Sequence, residues 1–252
     1  MSGHIILKWF NKKPNWGDAL NPILVELISG KKALQVTDTL KQIHYIVIGS
    51  SLAGCRPTSI VWGAGFMRSN AKTFGKPKKL YAVRGKLSRN RLLQLGYICP
   101  EIYGDPALLY PRYYNPKIEK KYLFGIVPHY IDKKVSWINK ISNHPKVKII
   151  NILDDINKVV NDIKSCELIF SSSLHGIIAG DAYSIPSYWI KLSDKIRGDG
   201  FKYHDYFSSV EREIKRFDVN ITTTLKQLLQ FVYDYEIKID LNKLYNACPF
   251  KK

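Results

Sequence analysis

The segment Glu167-Leu-Ile-Phe-Ser-Ser-Ser-Leu-His-Gly-Ile-Ile-Ala-Gly-Asp-Ala-Tyr-Ser-Ile-Pro186 places a short apolar run, a serine-rich turn and a helix-forming stretch in direct succession. Leu168 to Phe170 suit a buried strand, and Ser171 to Ser173 supply hydroxyls of the kind that cap a helix. Ile177, Ile178 and Ala182 then give the helix a buried face. A chain built from such units folds as a parallel sheet covered by helices. The turn also has a chemical meaning: a helix N-terminus presents unbonded N–H groups and partial positive charge at the carboxyl end of a strand, where open α/β sheets bind ligands. His175 falls in that first turn, as an anion ligand or as a packed core histidine.

The same alternation runs through the chain. Ile5 to Phe10 reads as a strand, and Asn21-Pro22 as the opening of a helix that Gly30 ends. Tyr45 to Gly49, Ser59 to Trp62 and Leu80 to Val83 are further strands, and Leu87 to Leu95 a helix closed by Gly96. Pro111 and Pro116 mark a linker between Leu109 and Lys121. A second series follows: strand 122–128, helix 134–142, strand 147–150, helix 156–164, the Ser-Leu-His-Gly unit, strand 187–190 and a tail helix from Thr222 to Tyr235. The expected organisation is two Rossmann-like halves facing a cleft, residues 1–112 and 113–252 with a C-terminal helix, in 252 residues.

Charge narrows the partners. Lys plus Arg number 39 against 21 Asp plus Glu, a formal +18, which favours anions such as phosphorylated metabolites, lipid headgroups or nucleic acid. No nucleic-acid-binding motif accompanies the charge, so nucleic acid is not expected as a partner. Cys55, Cys99, Cys166 and Cys248 form no C-x-x-C pair, so reduced thiols and no metal site are expected. The apolar stretch at Ile5 is too short for a signal segment, and no run approaches the ~20 residues that cross a bilayer. A cytoplasmic protein, at most associated by charge with the inner face of the membrane, is the expectation.

Candidate chemistry lies where strands end. Asn15 and Asp18 stand in a loop after the first strand, Arg84 directly follows Leu80 to Val83, and His129 ends the first strand of the second half. Lys191, Lys195 and Arg197 occupy a glycine-containing loop after the strand 187–190, where cations could surround a phosphate or form a solvated face. Gly63-Ala-Gly65 lacks the third glycine of a dinucleotide fingerprint, and Asp105 in Gly104-Asp-Pro106 reads as a turn or capping residue.

Asn15-Trp-Gly-Asp18, Val83-Arg-Gly85, Gly104-Asp-Pro-Ala107, Ser173-Leu-His-Gly176 and Ser193-Asp-Lys195, in this order, resemble the polysaccharide pyruvyl transferases. Those enzymes move pyruvate from phosphoenolpyruvate onto a sugar as a ketal. The resemblance covers most of the chain to about Val210 and implies a GT-B-like architecture with phosphoenolpyruvate as co-substrate and no cofactor. It assigns donor contacts to Arg84, the His175 turn with Ser173, and Lys195. Many members carry Arg-Leu-His-Gly where this chain has Ser173, so another cation, Lys191 or Arg197, is expected to replace that arginine.

On this reading His175 is the general acid and phosphate contact, and Asp18 the base. Asn15, His129, Lys191 and Arg197 are the remaining acceptor or phosphate candidates. The expected acceptor is a sugar of a bacterial-type surface polysaccharide or of its lipid-diphosphate-linked precursor beside an anionic membrane. The alternatives are a GT-B glycosyltransferase using a nucleotide-sugar, a nucleic-acid-binding protein, and a non-catalytic sugar-phosphate binder.

Overall fold

The computed structural model describes residues 3–252, which divide into two compact units. The first comprises 1–113, 198–212 and 237–252, and the second 114–197 and 213–236. This differs from the expected boundary at 112, because the chain returns twice to the first unit. In the first unit the strands are β1 (Ile5–Leu7), β2 (Ala33–Gln35), β3 (His44–Ile46), β4 (Ser59–Trp62) and β5 (Lys79–Ala82). Its helices are α1 (Trp16–Ser29), α2 (Lys86–Gln94) and, from the returning segments, α6 (Phe201–Ser209) and α8 (Leu241–Asn246). The second unit holds β6 (Tyr122–Val127), α3 (Ser136–Ile141), β7 (Val147–Ile149), α4 (Ile156–Lys164), β8 (Cys166–Ser171), α5 (Leu174–Ala182), β9 (Ser187–Lys191), β10 (Arg216–Asp218) and α7 (Leu225–Phe231).

Each unit is an α/β fold on a five-stranded sheet, and the paired strands are parallel. The orders are β2-β1-β3-β4-β5 and β7-β6-β8-β9-β10. Counted within its own unit, each sheet runs second, first, third, fourth, fifth. The expected Rossmann-like halves are present, and their order fixes where ligands can enter. It reverses direction between β1 and β3 in the first sheet and between β6 and β8 in the second. At such a point the loops leaving two neighbouring strands diverge and open a crevice at their carboxyl ends.

Helix α1 shows how local chemistry sets these loops. Asn15 caps it, accepting from the N–H groups of Gly17 (3.0 Å) and Asp18 (3.3 Å), while the Asp18 carboxylate accepts in return from Asn15 N (3.4 Å). This capping box starts the helix five residues before the expected Asn21-Pro22 opening, which leaves Pro22 inside it. Proline supplies no N–H to the carbonyl four residues back. The Asn21 side chain makes up the loss, donating to the carbonyls of Asp18 and Gly17 at 3.2 Å each. Its Oδ1 accepts from Ile48 N at 2.9 Å, which fastens α1 to the chain beyond β3. Gly30, in the left-handed conformation at φ 64°, ends the helix as expected.

Four of these elements were not foreseen: β2, β10, α6 and α8. The tail helix is also shorter than the expected Thr222 to Tyr235. A Thr224–Gln227 capping box starts it, and Val232 is already extended. Tyr233 and Tyr235 then place their rings against Tyr188, 5.3 and 6.0 Å away, so the aromatic residues serve core packing rather than a further helical turn.

Asn21→Ala should leave the Asp18 carbonyl and Ile48 N without partners, at a cost of roughly 1–3 kcal/mol per unpaired group. Adding Pro22→Ala, which restores a helical N–H, should recover part of the loss. Urea denaturation of the single and double variants checks this, and an unchanged midpoint in Asn21→Ala would contradict it.

Candidate active site

In the second unit, the crevice between β6 and β8 is built from the loops 128–135 and 171–175. Ser171 ends β8, and its hydroxyl lies 2.8 Å from the carbonyl oxygens of both Val127 and Ser173 while accepting from Ser173 N at 3.0 Å. Helix α5 begins directly after this knot and runs so close that a Cβ on Gly176 would collide with Ser171 Oγ and Val127. Only glycine lets the helix N-terminus lie against the sheet here. Ser173 is the N-cap residue, yet its hydroxyl makes no capping bond, contrary to the expected role of the serines. His175 is the second residue of this helix and is 6% exposed.

Ser172 points elsewhere. Its hydroxyl donates to Asp132 Oδ2 at 2.7 Å and accepts from His129 N at 2.9 Å. Asp132 is fully buried, and its Oδ1 accepts from Ser193 Oγ at 2.5 Å. His129, half-buried, stacks its ring on Tyr130 at 4.3 Å. His129, Ser173 and His175 therefore belong to one pair of loops at the switch point. Lys195 and Arg197 are exposed in the loop after β9, and Lys195 N donates to Ser193 Oγ at 3.1 Å. Lys191 is used differently from expectation: it pairs with Asp194 at 2.5 Å and lies 4.0 Å from Asp218 on β10. Its charge is matched along the sheet edge.

The first unit gives Arg84 partners that its sequence position does not reveal. This residue does follow β5, but its side chain is completely buried. Its Nε donates to Asp205 Oδ2 at 3.0 Å, Nη1 to Ser50 Oγ at 2.7 Å and Nη2 to the Phe66 carbonyl at 2.6 Å. Asp205, on α6, also accepts from Ser88 N at 2.7 Å and Ser88 Oγ at 2.6 Å. Ser208 accepts from Lys86 N at 3.0 Å, so α6 caps the N-terminus of α2, whose own N-cap is the side-chain-less Gly85. In this structure Arg84 is held in a buried ion pair with Asp205.

Asp18 stands at the same carboxyl end of this parallel sheet, in the first turn of α1 after β1. Burial raises its carboxyl from an ordinary 3.8 to about 7, Asp105 adds to the rise, and Asn15 and Lys202 oppose it. Asp105 is the N-cap of the 3₁₀ turn 106–112, accepting from Ala107 N at 3.0 Å as expected, and burial raises it to about 6. Asp132 and Asp205 escaped the sequence reading, whereas Lys202, read as part of the loop after the strand 187–190, lies instead on α6. Asp132 could have been found by the argument that selected His129, since it lies in the same loop after β6. Asp205 lies 121 residues from Arg84 on an unforeseen helix, and no local pattern joins them.

Comparison with known proteins now bears on these sites. The model of the polysaccharide pyruvyl transferase family matches residues 10–194. The chain belongs to that family. The matched stretch includes Asn15, Asp18, Arg84, His129 and the Ser173-Leu-His-Gly176 turn, and stops just before Lys195. The uncharacterized protein L143 of Acanthamoeba polyphaga mimivirus is 30% identical over 224 residues, 83% of this chain and 76% of that protein. The succinoglycan biosynthesis protein ExoV of Rhizobium meliloti is 23% identical over 228 residues, 88% of this chain and 70% of that one. A functionally uncharacterized Klebsiella pneumoniae protein of known structure is 11% identical, with a TM-score of 0.46 over 81% of this chain and 87% of that chain.

Two outcomes follow for this member of the pyruvyl transferase family. Arg84→Ala should lower stability by about 3–5 kcal/mol, because Asp205 is left buried and uncompensated; a residue serving only a ligand would leave urea stability unchanged. The folded state holds a proton on Asp18 that the unfolded chain releases between 3.8 and about 7. Its contribution to stability is thus complete below the lower value and lost as pH rises through the upper one. Asp18→Asn, which cannot titrate, should gain on the wild type between pH 5 and pH 8, and a stability difference independent of pH would contradict the buried acid.

Proposed function

We propose that this protein transfers pyruvate from phosphoenolpyruvate to a sugar of a surface polysaccharide or its lipid-linked precursor, forming a ketal. Membership of the polysaccharide pyruvyl transferase family over residues 10–194 carries the reading. Two features of the site support it. The N-terminus of α5, with Ser173, His175 and the nearby Lys195 loop, has the character wanted for a small trianionic donor. Asp18 titrates at about 7, the range in which a carboxyl can exchange protons with a substrate near neutrality.

The reaction assigns each group a task. His175 donates a proton to the methylene carbon of phosphoenolpyruvate, leaving positive character at the carbon that bears phosphate. A sugar hydroxyl adds there as Asp18 accepts its proton. The carbon–oxygen bond to phosphate breaks, and a second hydroxyl closes the ketal; the proton it sheds leaves with phosphate. Lys195 and Arg197 hold the phosphate as it departs, and Asn15 and His129 are candidates for holding the acceptor. Arg84 and Lys191 have no part in this scheme, since their charges are matched within their own units. Nothing in the sequence of steps calls for a metal or redox cofactor.

The basic surface suggests where the acceptor is met. No helix among the described residues is long and apolar enough to cross a membrane. An excess of +18 would draw the protein to an anionic bilayer, each cation near the surface contributing about 1 kcal/mol. A lipid-diphosphate acceptor on the cytoplasmic face fits that charge. Binding to vesicles containing anionic lipid at low salt, lost at high salt, is the expected result; indifference to such vesicles would assign the charge another purpose.

Phosphate release that requires both phosphoenolpyruvate and a saccharide tests the activity itself. Consumption of a UDP-sugar instead would favour a nucleotide-sugar glycosyltransferase. His175→Gln should reduce turnover by roughly 10²–10⁴-fold with a smaller change in donor affinity. Lys195→Ala should weaken donor binding by roughly 1.5–3 kcal/mol. Normal turnover of His175→Gln at saturating donor would exclude it as the acid.

A further inference from the structure

Asp132 is a buried carboxylate that the scheme above does not use. It lies in the loop after β6, and its two oxygens reach the loops after the other two central strands of the sheet. Oδ2 accepts from Ser172, which precedes the His175 turn, and Oδ1 accepts from Ser193, which precedes Lys195. Each serine hydroxyl passes the contact on to the backbone: Ser172 Oγ accepts from His129 N at 2.9 Å, and Ser193 Oγ accepts from Lys195 N at 3.1 Å. Asp132 N closes the arrangement by donating to the His129 carbonyl at 2.7 Å. The hydroxyls donate to an acceptor stronger than water and are thereby polarised toward the amides behind them.

Such an arrangement fixes three loops against one another at the switch point of a single sheet. We infer that Asp132 is the positioning residue of this half of the site, holding the His175 turn and the Lys195 loop in a common register without touching substrate. The inference rests on the proposed pyruvyl transfer for its catalytic meaning, but the clamp itself is a property of the second unit alone. A nucleophile or acid displaced by about 1 Å can lose on the order of 100-fold in rate, so a rigid frame behind His175 matters even though the frame is chemically silent.

Three variants separate the arms of the clamp. Ser193→Ala removes only the contact to the Lys195 loop, Ser172→Ala only that to the β8 loop, and Asp132→Asn weakens both while keeping size and one acceptor. Hydrogen exchange at individual amides is the first readout and needs no ligand. Exchange should quicken about tenfold or more at Lys195 in Ser193→Ala, at His129 in Ser172→Ala, and at both in Asp132→Asn, since a tenfold change corresponds to a small shift in local opening. Steady-state kinetics with phosphoenolpyruvate is the second. Ser193→Ala should raise KM for the donor with kcat nearly unchanged, Ser172→Ala should lower kcat, and Asp132→Asn should do both, by up to about 100-fold in kcat/KM. A lowered melting temperature in Asp132→Asn with unaltered exchange at both amides and unaltered kinetics would make Asp132 merely structural and overturn the inference. If the wild type transfers no pyruvate, the functional reading falls, and the exchange data alone decide whether the clamp exists.

Discussion

A guanidinium buried without a carboxylate would not be tolerated, and the first unit is organised around that constraint. Arg84 meets Asp205 at 2.9 Å with both side chains fully enclosed. The requirement brings the segment 198–212 back to the first sheet, where α6 caps α2 through Asp205 and Ser208. A Cβ on Gly85 would strike the Asp205 backbone, so the Val-Arg-Gly motif is explained by packing as much as by charge. With the arginine neutralised, Asp18 is left as a carboxyl of this sheet end that burial tunes toward neutral pH. The charge of Arg84 thus holds α6 and α2 at the sheet end that also carries Asp18.

The second unit uses the same strand order for different chemistry. Its switch point carries hydroxyls, imidazoles and a helix N-terminus instead of a titrating carboxyl, and its buried Asp132 is surrounded by serines rather than by an arginine. Asp205 and Asp132 play parallel parts nonetheless. Each is a fully buried carboxylate whose acceptor capacity joins segments far apart in sequence, and each stands behind residues that face a crevice at the strand ends. Duplicating a fold without duplicating its side-chain chemistry gives one unit a buried carboxyl raised toward neutral pH and the other a turn of hydroxyls and an imidazole at a helix N-terminus.

The fold was legible where periodicity and punctuation were strong. Strand Ser59–Trp62 and helix Ile156–Lys164, with its helical spacing, read directly, and Gly30 ended α1 as glycine should. The start of α1 was misplaced because Pro22 was taken as an N-terminal signal, whereas Asn21 repairs the missing donor from within the helix. The edge strands β2 and β10 have three residues each, too few for a period to show. Helix α6 opens with Gly200 in a left-handed conformation after a run of loop residues, and its aromatic face packs in a unit that the local sequence does not announce. Position after a strand selected the His175 and His129 loops, which the structure brings together through Ser172. The same rule could not tell a free arginine from a paired one, because Asp205 enters only through the tertiary fold.

Family membership and a carboxyl poised near pH 7 converge on proton-coupled transfer of a three-carbon acid. The decisive event in that account is protonation of the donor's methylene carbon before phosphate departs. Reaction of phosphoenolpyruvate with a panel of saccharide glycosides in D₂O, followed by NMR of the product, observes it directly. The account predicts a sugar ketal whose methyl group carries one solvent deuterium, formed in step with inorganic phosphate. A product that retains the carbon–carbon double bond, or a methyl group without deuterium, would contradict it.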